Sequence, residues 1–314
     1  MPQCYRDNMT CAYYSHPDCA RHDTGPRHPE RPERTRAIHD RFTADGLLDW
    51  LDQRAPVPLT LEDVCRVHRP DYVSKLARSI PAEGLATLDP DTVVGPHSLD
   101  TALLAAGAAV QAMDAVCGDG GVKRAFCNMR PPGHHAEPDR AMGFCLFGNA
   151  ALAAYRAIEA HGAARVAILD FDVHHGNGTE AIVAGDRRIL YASTFQYPLF
   201  PFPDLAGRPD HIVKTPLSAG TDGTGFREAV ERDWLPALAS FRPEAVVFSA
   251  GFDAHRADPL AQLALDETDF GWVTSTVLDA LPAGVPVVSV LEGGYDLQAL
   301  AHGAAAHVRA LAGL

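Results

Sequence analysis

Four short runs of this sequence gather acids, imidazoles and one phenol, each at the end of an apolar segment. In ARVAILDFDVHHGNG the residues Asp170, Asp172 and His174 alternate, and alternate residues of an extended chain share a face. Two carboxylates and an imidazole leaving a strand as apolar as VAIL make a poor buried surface unless a cation compensates them. The competing reading, a solvated acidic turn, suits a less apolar run. FSAGFDAHRADP adds Asp253, His255 and Asp258 after another apolar run, and spacing alone does not select the further ligand among them. In CNMRPPGHHAEPDRAMGF, Pro131 and Pro132 stiffen the chain and Gly133 permits a sharp turn, so His134 and His135 stand on a rigid loop. Such a pair suits metal ligation or proton transfer. LEGGYDL sets Tyr295 on a tight turn after Gly293 and Gly294.

Brought into one cleft, these groups suit a divalent metal with oxygen and nitrogen ligands and no thiolate. Three protein ligands leave a position for water, whose pKa a zinc ion lowers to about 7, the pattern of metal-assisted hydrolysis. One ion is favoured over two. A binuclear manganese hydrolase of the arginase type requires D-x-H-x-D, and Gly176 stands where its last carboxylate belongs. His255 likewise occupies a position where a second ion needs an acid.

The elements that must position these residues follow from about residue 120 onward. Strands are expected at Val122–Cys127, Val166–Phe171, Ile189–Ser193, Ala245–Ala250 and Val285–Leu291. Helices are expected at Asn149–His161, Glu228–Ala239, Phe270–Ala280 and Leu297–Leu311. Short apolar runs that do not alternate suit strands buried on both faces, and their alternation with helices argues a parallel sheet covered on both sides. Ligands in such folds sit outside the carboxyl ends of the strands.

The chain has 314 residues, 46% of them hydrophobic, with 27 basic and 40 acidic side chains for a net charge of −13. An acidic surface repels phosphate backbones, so nucleic acid is excluded as a partner, while a cationic substrate or basic peptide is attracted. The seven cysteines (Cys4, Cys11, Cys19, Cys65, Cys117, Cys127 and Cys145) form no C-x-x-C pair, which excludes a zinc knuckle and a thioredoxin-type motif. MPQCYRDNMT lacks an apolar leader core and no uninterrupted apolar stretch of membrane-spanning length follows, so a cytoplasmic protein with no membrane partner is expected. With no repeat or linker, one catalytic domain over residues 1–314 is expected.

RPPGHH, DFDVHHGNGT, SAGFDAHRADP and LEGGYDL, in this order, resemble the zinc-dependent histone deacetylase family. The likeness is closest to its class II and bacterial deacetylase or acetylpolyamine amidohydrolase branches. HPERPERTRAI, from His28 to Ile38, and LDPDTVVGPHS extend it over nearly the whole chain. The resemblance implies a three-layer α/β/α arginase–deacetylase fold with a central, mainly parallel sheet, in the α/β class. It makes Asp172, His174 and Asp258 the zinc ligands and leaves Asp253 and His255 outside that set. His134 and His135 become the tandem pair that activates water and protonates the leaving amine, with Asp170 accepting from His134 and Asn177 from His135. A carboxylate raises imidazole basicity more than an amide does, so His135 is read as general base and acid and His134 as electrostatic support. Tyr295 would donate to the substrate carbonyl. A structural potassium would take Asp170, the Ser193 hydroxyl and carbonyls of Asp172, His174 and Thr194, and a second one carbonyls near Val183, Asp186 and Ile189. Gly143 and Phe144 match one wall of the family's substrate tunnel, and Arg34 matches an arginine of an internal acetate channel.

The chain departs from the family pattern in three places. Gly148 precedes Asn149 where the usual run has two asparagines. STFQYPLFPFPDLAGRP lacks the aromatic–Pro–Gly–Thr–Gly segment of the second tunnel wall, and Phe200 rather than Phe202 is read there. Leu265 is read at the gate where polyamine-selective relatives carry glutamate, which favours acyl-lysine. The rim acid that grips substrate, Asp89 or Asp91, stays unassigned. The expected activity is zinc-dependent removal of acetyl or short acyl groups from lysine side chains, iron(II) suiting the same ligands. The alternatives are an amidohydrolase of acetylpolyamines or other small acylated amines and, more remotely, an inactive acyl-lysine-binding scaffold. A homo-oligomer is compatible with the sequence.

Overall fold

The computed structural model describes residues 11–206 and 209–314. Cys4 and the rest of the amino-terminal decapeptide lie outside them. Ten strands are described: β1 (Cys11–Tyr14), β2 (Leu51–Arg54), β3 (Ala86–Thr87), β4 (Val93–Val94), β5 (Arg124–Cys127), β6 (Val166–Asp170), β7 (Ile189–Gln196), β8 (Ile212–Leu217), β9 (Ala245–Ala250) and β10 (Val287–Leu291). Eight of them form one sheet in the order β2-β1-β5-β10-β9-β6-β7-β8, and β3 pairs with β4 apart from it. Every neighbouring pair in the large sheet is parallel.

The expected strands appear as β5, β6, β7, β9 and β10. The sequence patterns did not reveal β1, β2 and β8, for identifiable reasons. β1 is only four residues long, and β2 (LDQR) is an edge strand whose Asp52 and Arg54 pair with each other at the surface. β8 (IVKTPL) forms the opposite edge, where Pro216 is tolerated because no further strand needs its missing N–H.

Within each strand the side chains alternate between two apolar layers. Ala125, Cys127, Ile168, Val247, Val288 and Val290 face one of them, which also takes the helices Ser98–Cys117 and Asn149–His161. Phe126, Ala167, Leu169, Val246, Phe248 and Leu291 face the other, against the helices Glu33–Ala44, Glu267–Ala280 and Leu297–Ala312. The result is the expected three-layer α/β/α arrangement. Helix Ser98–Cys117 is long and apolar enough to cross a membrane, but most of it is buried inside this fold. The helix expected at Glu228–Ala239 is instead Gly223–Ala229, a single π turn at Val230–Trp234, and Leu235–Phe241. Pro236 has no N–H to continue an α ladder, and the Leu235 N–H reaches back five residues to the Val230 carbonyl.

Register brings the functional ends level. Asp170 lies opposite Ser193 of β7 and Ser249 of β9, and Val290 of β10 lies opposite Cys127 of β5. The loops that follow β5, β6, β9 and β10 therefore start from adjacent points on the carboxyl edge.

A buried ion network holds the loop after β5 in place. Glu30 has no exposed surface, and Arg130 donates to both of its oxygens at 2.7 Å. Arg34 adds a third contact at 3.3 Å, and the His22 Nε2 stands 3.4 Å away. Arg130 also donates to the Cys19 and His22 carbonyls, both at 2.7 Å. Burial works to raise the Glu30 pKa, but Arg130 outweighs it and holds the group at about 2, below its ordinary 4.5. A lowered folded-state value stabilises the fold above pH 4.5, and that contribution is lost as pH falls towards 2. Glu30→Gln should cost about 3–5 kcal/mol, because it strands buried guanidinium groups. It should also flatten the acid limb of the stability curve. Urea melts at pH 7 and pH 3.5 check this, and a loss under about 1 kcal/mol would contradict it.

Candidate active site

The loop after β6 turns back on itself through its own acids. Asp172 accepts the His174 N–H at 2.9 Å and the Gly293 N–H, from the loop after β10, at 2.7 Å. The His174 Nδ1 lies 3.1 Å from both Asp172 Oδ1 and Asp253 Oδ2. Asp253 is fixed from its other oxygen by the Val173 N–H at 2.9 Å. Asp172, His174 and Asp253 thus offer three ligand atoms within 4.8 Å of one another, the group among the described residues suited to a metal.

Here the geometry differs from the expected trio, in which Asp258 rather than Asp253 stood beside Asp172 and His174. Asp258 is occupied by backbone amides, taking the Leu260 N–H at 3.0 Å and the Tyr295 N–H at 2.7 Å. It nevertheless feels the charge of Asp172: burial first, and that repulsion in addition, raise its carboxyl pKa. Asp253 is pushed up to about 7 by burial and by Asp172. Burial also works to raise Asp172, but the imidazoles of His134 and His174 hold it well below the carboxylate range. Asp170, Asp172, Asp253, Asp258 and Glu292 together outnumber the imidazoles beside them, a donor set of oxygens and nitrogens that fits a divalent cation.

The tandem histidines differ through their partners. His134 Nδ1 lies 3.1 Å from Asp170 Oδ2, which also accepts from the Tyr191 hydroxyl at 2.8 Å. Burial disfavours its charge, but Asp172 and Asp170 outweigh that and raise its pKa to about 10. His135 Nδ1 lies 2.8 Å from Asn177 Oδ1, and the Asn177 Nδ2 is committed to Glu137 at 2.7 Å. An amide oxygen only accepts, so His135 carries its proton on Nδ1 and presents a lone pair on Nε2. Burial, then the neighbouring His134 and His174, push its pKa well below the usual range. The two rings therefore separate into a charged and a neutral member.

Tyr295 is buried beside them. Its ring meets Phe144 edge-on at 5.7 Å and lies 5.0 Å from the Arg34 guanidinium. Burial keeps the phenol protonated, and its hydroxyl has no hydrogen-bond partner among the described residues. Arg34 is itself wholly buried, donating to the Gly294 carbonyl at 2.7 Å and to the Glu292 carbonyl. The Phe200 ring packs 5.1 Å from the His135 ring and 6.2 Å from that of His174. Gly143 adopts φ +56°, and a Cβ there would lie 2.4 Å from the His135 ring, so only glycine fits against the imidazole. Asp91 accepts the Gly143 N–H at 3.2 Å, and Asp89 accepts the N–H of Asp91 at 3.1 Å; both acids brace the turn that carries Phe144.

Other expected residues lie outside this cleft. Leu265 has no exposed surface and packs in the second apolar layer, which makes it a core residue rather than a gate. His255 turns towards Glu267, 3.6 Å away. Ser193 and Thr194 are buried in β7, with Ser193 beside Asp170 in the register. The Val183 and Asp186 carbonyls accept N–H groups within a turn that leads to Ile189. A Cβ at Gly176 would lie 2.4 Å from Asp170 Oδ2, so there is no room for a second bridging carboxylate.

Sequence reasoning passed over Glu292, the residue before Gly293. It is fully buried and accepts the N–H groups of Gly133 (2.6 Å) and His134 (3.0 Å) and the Ser249 hydroxyl (2.9 Å), so it fixes the histidine loop to the sheet. Its signal was an acid directly after the apolar run VVSVL.

The family described as histone deacetylase domain matches residues 28–311. A histone deacetylase-like amidohydrolase of Pseudomonas aeruginosa is 40% identical, over 86% of this chain and 73% of its own. A probable deacetylase of Methanothermobacter thermautotrophicus is 39% identical, over 91% and 86% respectively. The crystal structure of the HDA15 HD domain superposes with a TM-score of 0.91 at 32% identity, covering 97% of this chain and 90% of that one.

A metal entering this cluster competes with a proton on His174. Burial opposes the charge on His174, but Asp172 and Asp253 raise its pKa to about 10, so the ring is protonated at neutral pH. Apparent affinity for a divalent ion should therefore rise about tenfold per pH unit between 6 and 8, with proton release on binding. Calorimetric titration with zinc in buffers of different ionisation enthalpy checks this, and a pH-independent affinity would contradict it.

Proposed function

This chain belongs to the histone deacetylase family, and we propose that it is a zinc-dependent amidohydrolase removing acetyl or short acyl groups from lysine side chains. The observation that supports this most directly is His135, whose Nδ1 is bound to the Asn177 side chain, leaving Nε2 as the acceptor, and whose ring packs on Phe200 and on the His174 ring of the acid-rich cluster. Asp172 and His174 belong both to the motif-implied ligands and to the geometric trio. We assign the third ligand to the SAGFDAHRADP loop, where Asp253 completes the geometric trio and the motif-implied Asp258 is held by the N–H groups of Leu260 and Tyr295. Iron(II) suits the same donors. Potassium is assigned to Asp170, Ser193 and Thr194 beneath.

A bound divalent ion supplies Lewis acidity, polarising the amide carbonyl and acidifying the attacking water. The remaining work belongs to the chain. His135 Nε2 takes the proton of the water as its oxygen bonds to the carbonyl carbon, and delivers it to the amine nitrogen as the C–N bond breaks. The products are a carboxylic acid and an amine, which exchange a proton to give a carboxylate and an ammonium. His134, whose pKa is raised by Asp172 and by its partner Asp170, favours the negative charge that develops beside it. The Tyr295 hydroxyl donates to the carbonyl oxygen, and that bond strengthens as the oxygen becomes an oxyanion.

Lysine side chains fit the approach. Phe144 packs on Tyr295 and Phe200 on His135, and four methylenes buried between two such rings would gain about 3 kcal/mol, at roughly 0.8 per CH₂. The net charge of −13 favours basic peptides around the acylated residue.

Tyr295→Phe should lower kcat by about 10²–10³ with little change in KM, since the lost bond acts mainly on the transition state. Steady-state kinetics on an acetyl-lysine peptide check this, and near-full activity would remove Tyr295 from the mechanism. A panel of acyl-lysine peptides and acetylpolyamines, with and without a hydroxamate chelator, should show fastest turnover on a peptide and loss of it with the chelator. Faster hydrolysis of acetylputrescine or acetylspermidine would reverse the substrate assignment.

A further inference from the structure

The loop after β7 carries Phe200 yet lacks the glycine-containing segment that shapes this wall in the family it resembles. Something else must hold it. At one end the Tyr197 N–H donates to the Leu217 carbonyl of β8 at 2.8 Å. Further along, the Lys214 Nζ donates to the Asp204 carbonyl at 2.8 Å. Lys214 lies on β8 and is almost wholly buried, an unusual place for an ammonium group unless it is paired. Its partner is Glu180, whose Oε1 lies 2.6 Å from Nζ. The other Glu180 oxygen accepts from His175 Nε2 at 2.5 Å. His175 therefore offers Nδ1 as an acceptor, and the Ser193 hydroxyl lies 3.2 Å from it. Ser193 sits beside Asp170 in the sheet.

These contacts form a continuous chain from the buried sheet to the surface loop: Ser193, His175, the partly exposed Glu180, Lys214, then the Asp204 carbonyl. Each member fixes the next. Glu180 cannot swing away from Lys214 without releasing His175, and Lys214 cannot move without releasing the loop. We propose that Lys214, anchored by Glu180, is a positioning residue that holds the Phe200 wall of the acyl-lysine cleft and so sets how tightly the acylated side chain is gripped. This rests on the deacetylase reading above, but the clamp itself is a property of the loop and can be tested apart from it.

The clamp should act on substrate binding rather than on bond breaking. Lys214 touches none of His134, His135 or Tyr295 in the contacts described. Lys214→Met should raise KM for an acetyl-lysine peptide roughly tenfold, with kcat within about twofold of wild type. Lys214→Arg, which keeps a donor and a charge, should recover most of the loss. Hydrogen exchange of the amides of residues 199–206 supplies a readout that needs no turnover. Those amides should exchange faster in Lys214→Met and return towards wild type in Lys214→Arg. The double variant Glu180→Gln, Lys214→Met removes both charges together, and it should show the same fast exchange if the single variant fails to fold. Unchanged exchange in that segment, or a fall in kcat with KM unaltered, overturns the clamp. A wild-type protein that turns over no acyl-lysine substrate, yet shows the exchange pattern, overturns the deacetylase reading and leaves the clamp standing.

Discussion

An excess of buried negative charge at one edge of a parallel sheet governs this structure. Asp170, Asp172, Asp253, Asp258 and Glu292 converge where β6, β9 and β10 end, in surroundings that exclude water. Isolated carboxylates are very costly in such a place, so each is tied to backbone N–H groups or an imidazole. Those ties do not remove the repulsion, which shows in the raised values of Asp253 and Asp258. A divalent cation is the compensating charge that the donor set invites. The same requirement explains why the loops are stiff and interlocked, since flexible acids would move apart into solvent.

The division of labour proposed for the two histidines follows from what stands behind each of them. Two adjacent imidazoles in one loop have similar burial, yet one is backed by a carboxylate and the other by an amide. The acids Asp172 and Asp170 raise the His134 pKa against the effect of burial. The amide, itself oriented by Glu137, leaves His135 neutral with a defined tautomer. Neighbouring charge increases the contrast, because a charged His134 disfavours a second proton next door. Glu292 and the Glu30–Arg130 network fix the loop, so that the difference is built into the fold rather than left to side-chain rotation.

Much of this was legible in the sequence because the chemistry lies at strand ends. Strands buried on both faces read as apolar runs, and a polar residue directly after one is conspicuous; Asp170, Asp172, His134, His135 and Tyr295 were all found that way. Residues whose role depends on distant partners were harder to read. Glu292 bonds to Gly133 and His134, and Lys214 meets Glu180, contacts that local spacing does not encode. Leu265 was misplaced because position along a loop does not reveal whether a side chain turns outward or into the core. Asp253 was set outside the ligand set by motif, whereas the fold brings its oxygen to the His174 ring. The edge strands β2 and β8 escaped notice because edges tolerate charge and proline.

The account depends on a single cation balancing the acid cluster, and anomalous diffraction from crystals grown with zinc tests it most directly. The account predicts one strong peak per chain, in contact with Asp172, His174 and a carboxylate of the SAGFDAHRADP loop, and facing the Tyr295 hydroxyl. Two peaks within the cluster, or a lone peak away from those side chains, would contradict it.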